Sequence, residues 1–190
     1  MMPAFKARPT TVDDPSIWTG ANYVDLLDPN PAEFRLVDVA RGLSHLARFN
    51  GLTPRFYSVA EHSLLCLRIA ELDGVDEPSV LRAVLMHDAA EAYLGDVTRP
   101  LKALLPDFRR IEERMEAALW HRFDVALPTF KYRVKRYDDM ALGTEKAALA
   151  HGSGRWAGVP PAYPVPVPRL TCEAAAAAFL AAARSLGIPE

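Results

Sequence analysis

The chain has 190 residues, half of them hydrophobic, with 22 Lys and Arg against 24 Asp and Glu and a formal net charge of −2. That length suits one domain, and the composition is that of a globular chain rather than a disordered one. The balance of charge offers no basic surface for a nucleic acid, no apolar run reaches the roughly 18 residues of a membrane span, residues 1–11 lack the apolar core of a signal peptide, and the two cysteines, Cys66 and Cys172, make no disulfide framework.

These exclusions lead us to expect a cytoplasmic protein that engages neither nucleic acid nor membrane. Residues 17–27, with Trp18, Tyr23 and Val24, read as extended, and Thr19-Gly20-Ala21-Asn22 as a tight turn. Asp28-Pro29-Asn30-Pro31 then breaks any regular element. In residues 35–49 the apolar positions Leu36, Val39, Ala40, Leu43, Leu46 and Ala47 follow helical spacing, and Asn50-Gly51 ends the run. Ser58-Val59-Ala60-Glu61 matches a capping box, in which the serine hydroxyl caps an N–H three residues on and the glutamate reaches back. A helix over 58–72 follows, stopped by Asp73-Gly74.

The next predicted helix opens at Glu77-Pro78 and runs to Leu94, with Gly95 as its stop. Residues 108–123 form an amphipathic helix with a heavily charged outer face, and 129–150 a further helix. Residues 151–169, rich in glycine and proline, are irregular. An alanine-rich helix over 171–186 has Thr171 as N-cap and Gly187 just past its end. The class is all-α, with about six helices and a small N-terminal hairpin. We divide the chain into an extended segment (1–34), a helical domain (35–150), and a proline-rich connector with a final helix packed on that domain (151–190).

Chemistry enters where polar residues interrupt the apolar pattern. Val80, Leu81, Ala83, Val84, Leu85 and Met86 leave Arg82 as nearly the only polar position, so this helix is buried. It continues as His87-Asp88-Ala89-Ala90-Glu91. Two carboxylates and an imidazole in one buried turn need compensation, and a divalent cation supplies it by favouring ionised carboxylates and neutral imidazole together. Of five histidines, His62 faces the apolar side of its helix with Leu65, Cys66 and Ile69, and is the best second imidazole. In Tyr137-Asp138-Asp139-Met140, Asp138 shares its face with Val134, Ala141 and Leu142, whereas Asp139 shares one with Lys135, Arg136 and Lys146, so Asp138 is the inward carboxylate. His62, His87, Asp88 and Asp138 make a mixed nitrogen and oxygen set suited to Mn, Fe, Co, Ni or Zn, with positions left open for water and substrate.

His62, then His87-Asp88, then Asp138 resembles the H…HD…D signature of HD-domain metal-dependent phosphohydrolases. The flanking runs Arg55-Phe56-Tyr57-Ser58-Val59-Ala60-Glu61-His62-Ser63, Met86-His87-Asp88-Ala89-Ala90-Glu91-Ala92-Tyr93-Leu94-Gly95-Asp96 and Thr98-Arg99-Pro100-Leu101-Lys102 are similar to the branch that contains the bacterial 5′-deoxynucleotidases. The resemblance spans about residues 25–150. It implies an all-α bundle around one divalent metal, Mg included, and hydrolysis of a small nucleotide's phosphoester. Binuclear members carry extra histidines between the HD pair and the last aspartate, where this chain has only His121. The resemblance further implies Glu91 as general acid/base, Asp96 as a residue orienting the water or contacting the sugar, and Arg55 as a phosphate clamp, with Arg99 and Lys102 as additional phosphate contacts. Homodimers are common in that branch, and no interface signature stands out here.

Simpler roles stand beside these. Glu91 can pair with Arg82 or Arg99, Asp96 can cap a turn, and Arg55 can neutralise Glu61. Trp18 reads better as a hydrophobic anchor than as a base-stacking lid, and the proline run 159–168 as a stiff connector rather than a ligand for another domain. The leading expectation is hydrolysis of 5′-deoxynucleoside monophosphates. A deoxynucleoside triphosphate triphosphohydrolase is the close rival, and a non-catalytic metal- or nucleotide-sensing module the rival of another class. An oxygenase on the same fold would need two irons and more histidines.

Overall fold

The computed structural model describes residues 14–150, 156 and 158–190. Residues 1–11, which lack the apolar core of a signal peptide, and the start of the glycine-rich segment at His151 lie outside them. The regular elements of the described residues are helices, apart from a hairpin of β1 (Ser16–Trp18) and β2 (Tyr23–Asp25), paired antiparallel with Ile17 opposite Val24. Thr19 closes its turn by bonding to Asn22.

The first helix, α1 (Leu36–His45), is shorter than its apolar pattern predicts. Leu46 and Ala47 are extended instead, because Ala47 bridges Ser58 and backbone bonds join Arg48 to Tyr57 and Val59 to Leu46. The chain then reverses through Phe49, Asn50 and Gly51, all at positive φ (56°, 53° and 72°). Such a run is costly for the two non-glycine residues and persists where surrounding contacts over-determine it. Its effect is to turn Arg48 inward.

Helix α2 (Val59–Leu72) begins at Ser58 with both halves of the predicted capping box formed. Helix α3 (Pro78–Met86) is buried as expected, but the predicted single helix to Leu94 is two. Residues 87–90 form a tightened turn with bonds from Ala89 N to Met86 O and Glu91 N to Asp88 O, and α4 (Glu91–Leu94) resumes beyond it. His87 Nδ1 bonds to the Val84 carbonyl, the acceptor that a continuing α-helix would offer to Asp88. The His-Asp pair therefore sits at a break in the helix and points off it.

A short helix absent from the sequence reading, α5 (Arg99–Lys102), leads into α6 (Pro106–Phe123), which Asp124 ends in the left-handed conformation. Helix α7 (Leu127–Leu149) and α8 (Cys172–Ser185) complete the bundle. Thr171 caps α8 through Ala174 N, and Gly187 follows its end at φ 72°. The core lies among α1, α2, α3, α7 and α8, with Phe34, Leu43, Tyr57, Ile69, Leu85, Met86 and Phe179 fully enclosed. The proline segment is strapped to the bundle: Tyr163 N bonds to Thr144 Oγ1 and Leu170 N to Glu61 Oε1. No helix of the described residues is long and apolar enough to cross a membrane.

Gly42 sets how closely α4 approaches α1. A Cβ there would lie 2.8 Å from Ala92 Cβ and 2.9 Å from Ala92 O. Gly42→Ala is expected to lower stability by about 1–3 kcal/mol through overpacking, read from denaturant melts.

Candidate metal centre

His62 is fully buried on the inner face of α2. Its Nδ1 lies 2.5 Å from Glu145 Oε1. A carboxylate only accepts, so Nδ1–H donates and Nε2 is left facing inward. That Nε2 lies 3.4 Å from Asp138 Oδ1 and 3.6 Å from Asp88 Oδ2. His87 repeats the arrangement: Nδ1 is held by the Val84 carbonyl at 2.8 Å, and Nε2 lies 3.1 Å from Asp88 Oδ2. The two rings meet edge to face at 5.3 Å. Asp138 turns towards His62, while its neighbour Asp139 pairs with Lys135, which also reaches Asp138 Oδ2.

Four donor atoms from α2, the turn after α3, and α7 thus converge. Burial works against a proton on His62, but Cys66, Glu145 and Asp138 outweigh it and raise its pKa well above the usual histidine value. Burial likewise opposes a proton on His87, and Asp88 reverses the balance. Despite their own burial, Asp88 is held below the carboxylate range chiefly by His87, and Asp138 chiefly by His62. The donors fit a divalent cation. Both imidazoles are fixed with Nε2 inward, and two ionised carboxylates face them, Asp88 Oδ2 lying 3.1 Å from His87 Nε2. Cys66 is a fifth donor, which the sequence reading took only as apolar: its Sγ is 3.5 Å from His62 Nε2, and the ligand atoms of His62, Cys66 and His87 lie within 4.8 Å of one another.

Two further residues escaped the sequence reading. Glu145, wholly buried on α7, receives Tyr57 Oη at 2.9 Å and Arg48 Nε at 3.1 Å besides His62. Although burial opposes its ionisation, His62 and Arg48 hold its pKa down at about 2. Arg48 also reaches towards Asp88 and Asp138, at 3.9 and 3.8 Å. Glu145→Gln, which keeps the shape but weakens the grip on His62, is expected to loosen metal binding by about 10–100-fold, read by competition with a chromophoric chelator.

A cavity of about 540 Å³ opens over these groups, lined by Arg48, Phe49, Asp88, Glu91, Asp96, Thr98, Arg99, Lys102, Asp138, Leu142 and Trp156. Burial first, then Asp88 and Asp96, raises the pKa of Glu91 well above the carboxylate range, and its Oε2 has no hydrogen-bond partner. Lys102 Nζ lies 3.5 Å from Glu91 Oε1 and is also bound by Glu112. Burial also raises the pKa of Asp96. Arg99 lines the cavity, but Arg55 does not. Its guanidinium bonds to the carbonyls of Phe56 and Pro168 and pairs with Glu61, so the structure does not bring it to the metal centre. The guanidinium of Arg48, by contrast, lines the cavity. Trp18, exposed, lies against another cavity, and His121 lines a separate surface hollow beside Trp120 and Asp124.

A helical bundle with a His…His-Asp…Asp cluster across three of its elements is the arrangement of an HD domain. Residues 48–151 match the family described as HD domain, and the chain belongs to that family. It is 37 % identical over 125 residues, 66 % of each chain, to the uncharacterized protein YfdR of Escherichia coli strain K12. It is also 37 % identical over 137 residues, 67 % of this chain and 68 % of the relative, to the uncharacterized protein RCAP_rcc00048 of Rhodobacter capsulatus. The chain thus spans about two thirds of the relatives it matches.

Proposed function

We propose that this HD domain is a metal-dependent phosphohydrolase that cleaves 5′-deoxynucleoside monophosphates to nucleoside and phosphate. The observation that carries the reading is the placement of Glu91. It is a buried carboxyl with an unpartnered oxygen, in the cavity that Asp88 and Asp138 also line, and both of those aspartates face Nε2 of His62. His62, His87, Asp88 and Asp138 would hold one divalent cation, which supplies Lewis acidity at a phosphate oxygen and a bound water of lowered pKa. Glu91, whose pKa burial holds above the usual carboxylate range, gives a proton to the departing 5′-oxygen and recovers one from the attacking water. Asp96 orients that water. Arg48, Arg99 and Lys102 face the phosphate, and the cavity is within the roughly 300–1,000 Å³ of small-ligand sites.

The cationic lining favours a monophosphate over a triphosphate. Arg48 is already paired with Glu145, and Lys102 with Glu112 and Glu91, which leaves little positive charge for two further phosphates. The test is a panel of nucleoside and deoxynucleoside mono- and triphosphates with Mn, Co, Mg and Zn. Orthophosphate from deoxynucleoside monophosphates is expected. Release of triphosphate instead would assign the rival hydrolase activity. No release from any compound would overturn the hydrolase reading in favour of a metal or nucleotide sensor.

A further inference from the structure

The metal centre and its cations account for the phosphate of a nucleotide and leave its nucleoside unplaced. The catalytic cavity is largely lined by charged side chains. A smaller cavity of about 270 Å³ adjoins it, and Phe49, Thr98 and Trp156 line both. The rings of Phe49 and Trp156 meet at 6.0 Å between centroids, tilted by 51°, so two aromatic side chains stand at the boundary. Beyond them the smaller cavity is walled by Leu52, Leu149 and Ala150. Charged groups on one side of an aromatic boundary and an apolar recess on the other are what the two halves of a nucleoside phosphomonoester require.

The polar groups of the recess narrow the base it suits. Lys146 Nζ lies 5.5 Å from the centroid of the Trp156 ring and brings an ammonium, which only donates. Asn50 brings an amide from the left-handed reversal, at φ 53°. Thr53 gives its hydroxyl proton to the Arg55 carbonyl at 2.6 Å, so its oxygen can only accept. Glu145 also borders the recess, but His62, Tyr57 and Arg48 already bond to its carboxylate. Two donors and one acceptor match the edge of uracil or thymine, where two carbonyls flank one N–H. The exocyclic amine of cytosine or adenine would instead face an ammonium. The recess has half the volume of its neighbour, which suits a single ring better than a purine.

We infer that the base of the substrate is a uracil or thymine held in this recess, packed against Trp156 with a carbonyl towards Lys146. The inference rests on the hydrolase reading for the phosphate half, and the experiment separates the two because nucleosides bind without turnover. Deoxyuridine, thymidine, deoxycytidine and deoxyadenosine are titrated into the full chain, with tryptophan fluorescence as the readout. Deoxyuridine and thymidine are expected to bind about tenfold more tightly than the other two, the worth of one or two matched hydrogen bonds. Trp156→Phe should lose the fluorescence change, and Lys146→Met, at a half-buried position, should lose the preference among bases. Equal affinity for the four nucleosides, tighter binding of deoxyadenosine, or an undiminished signal in Trp156→Phe would overturn the inference. Selective binding of deoxyuridine and thymidine by a chain that hydrolyses no nucleotide would support the recess and overturn the hydrolase reading alone.

Discussion

Glu91→Gln is expected to retain metal at the wild-type level while phosphate release falls about 10²–10⁴-fold, the usual contribution of a positioned acid/base. The substitution keeps the volume of the side chain and its reach towards Lys102, 3.5 Å away. It removes the one thing argued to matter, a proton that can leave and return. Glu91 is not among the four converging donors, so metal content separates a catalytic role from a ligating one. A fall in both would make Glu91 a ligand, and unchanged turnover would reduce it to a partner of Lys102.

The second large effect is expected at α7. Asp138→Ala should lose most bound metal and with it nearly all turnover, whereas Asp139→Ala should keep both. Asp138 Oδ1 faces His62 Nε2 at 3.4 Å, while Asp139 is held by Lys135 at the helix surface. Removing Asp138 also leaves Arg48 with fewer counter-charges in a buried setting, which adds to the loss. Metal analysis of the two purified variants reads the difference directly. Retention of metal in Asp138→Ala would remove that residue from the ligand set.

Most of the helices were legible in the sequence because each carried a local reason: the capping box at Ser58, the proline at the start of α3, Thr171 and Gly187 around α8. The inward facing of Asp138 was legible from helical periodicity for the same cause. The break at residues 87–90 was not, because apolar periodicity does not report that an imidazole will take up a carbonyl of its own helix. Arg48 and Arg55 show the limit most clearly. Both precede the His62 helix, yet only Arg48, just before the left-handed reversal at residues 49–51, lines the cavity, and no local pattern distinguishes it from Arg55. Glu145 and Cys66 did carry a signal. Glu145 lies two turns past Asp138 on one face, and Cys66 one turn past His62, but a single polar atom in an apolar stripe reads as core until its neighbours are known.

The most direct measurement of the central claim is phosphate release as a function of bound metal, titrated into chelator-stripped protein with a deoxynucleoside monophosphate. The account predicts no release from the stripped chain and a linear rise that saturates at one metal per chain. Undiminished release from the metal-free protein, or saturation at two metals, would contradict it.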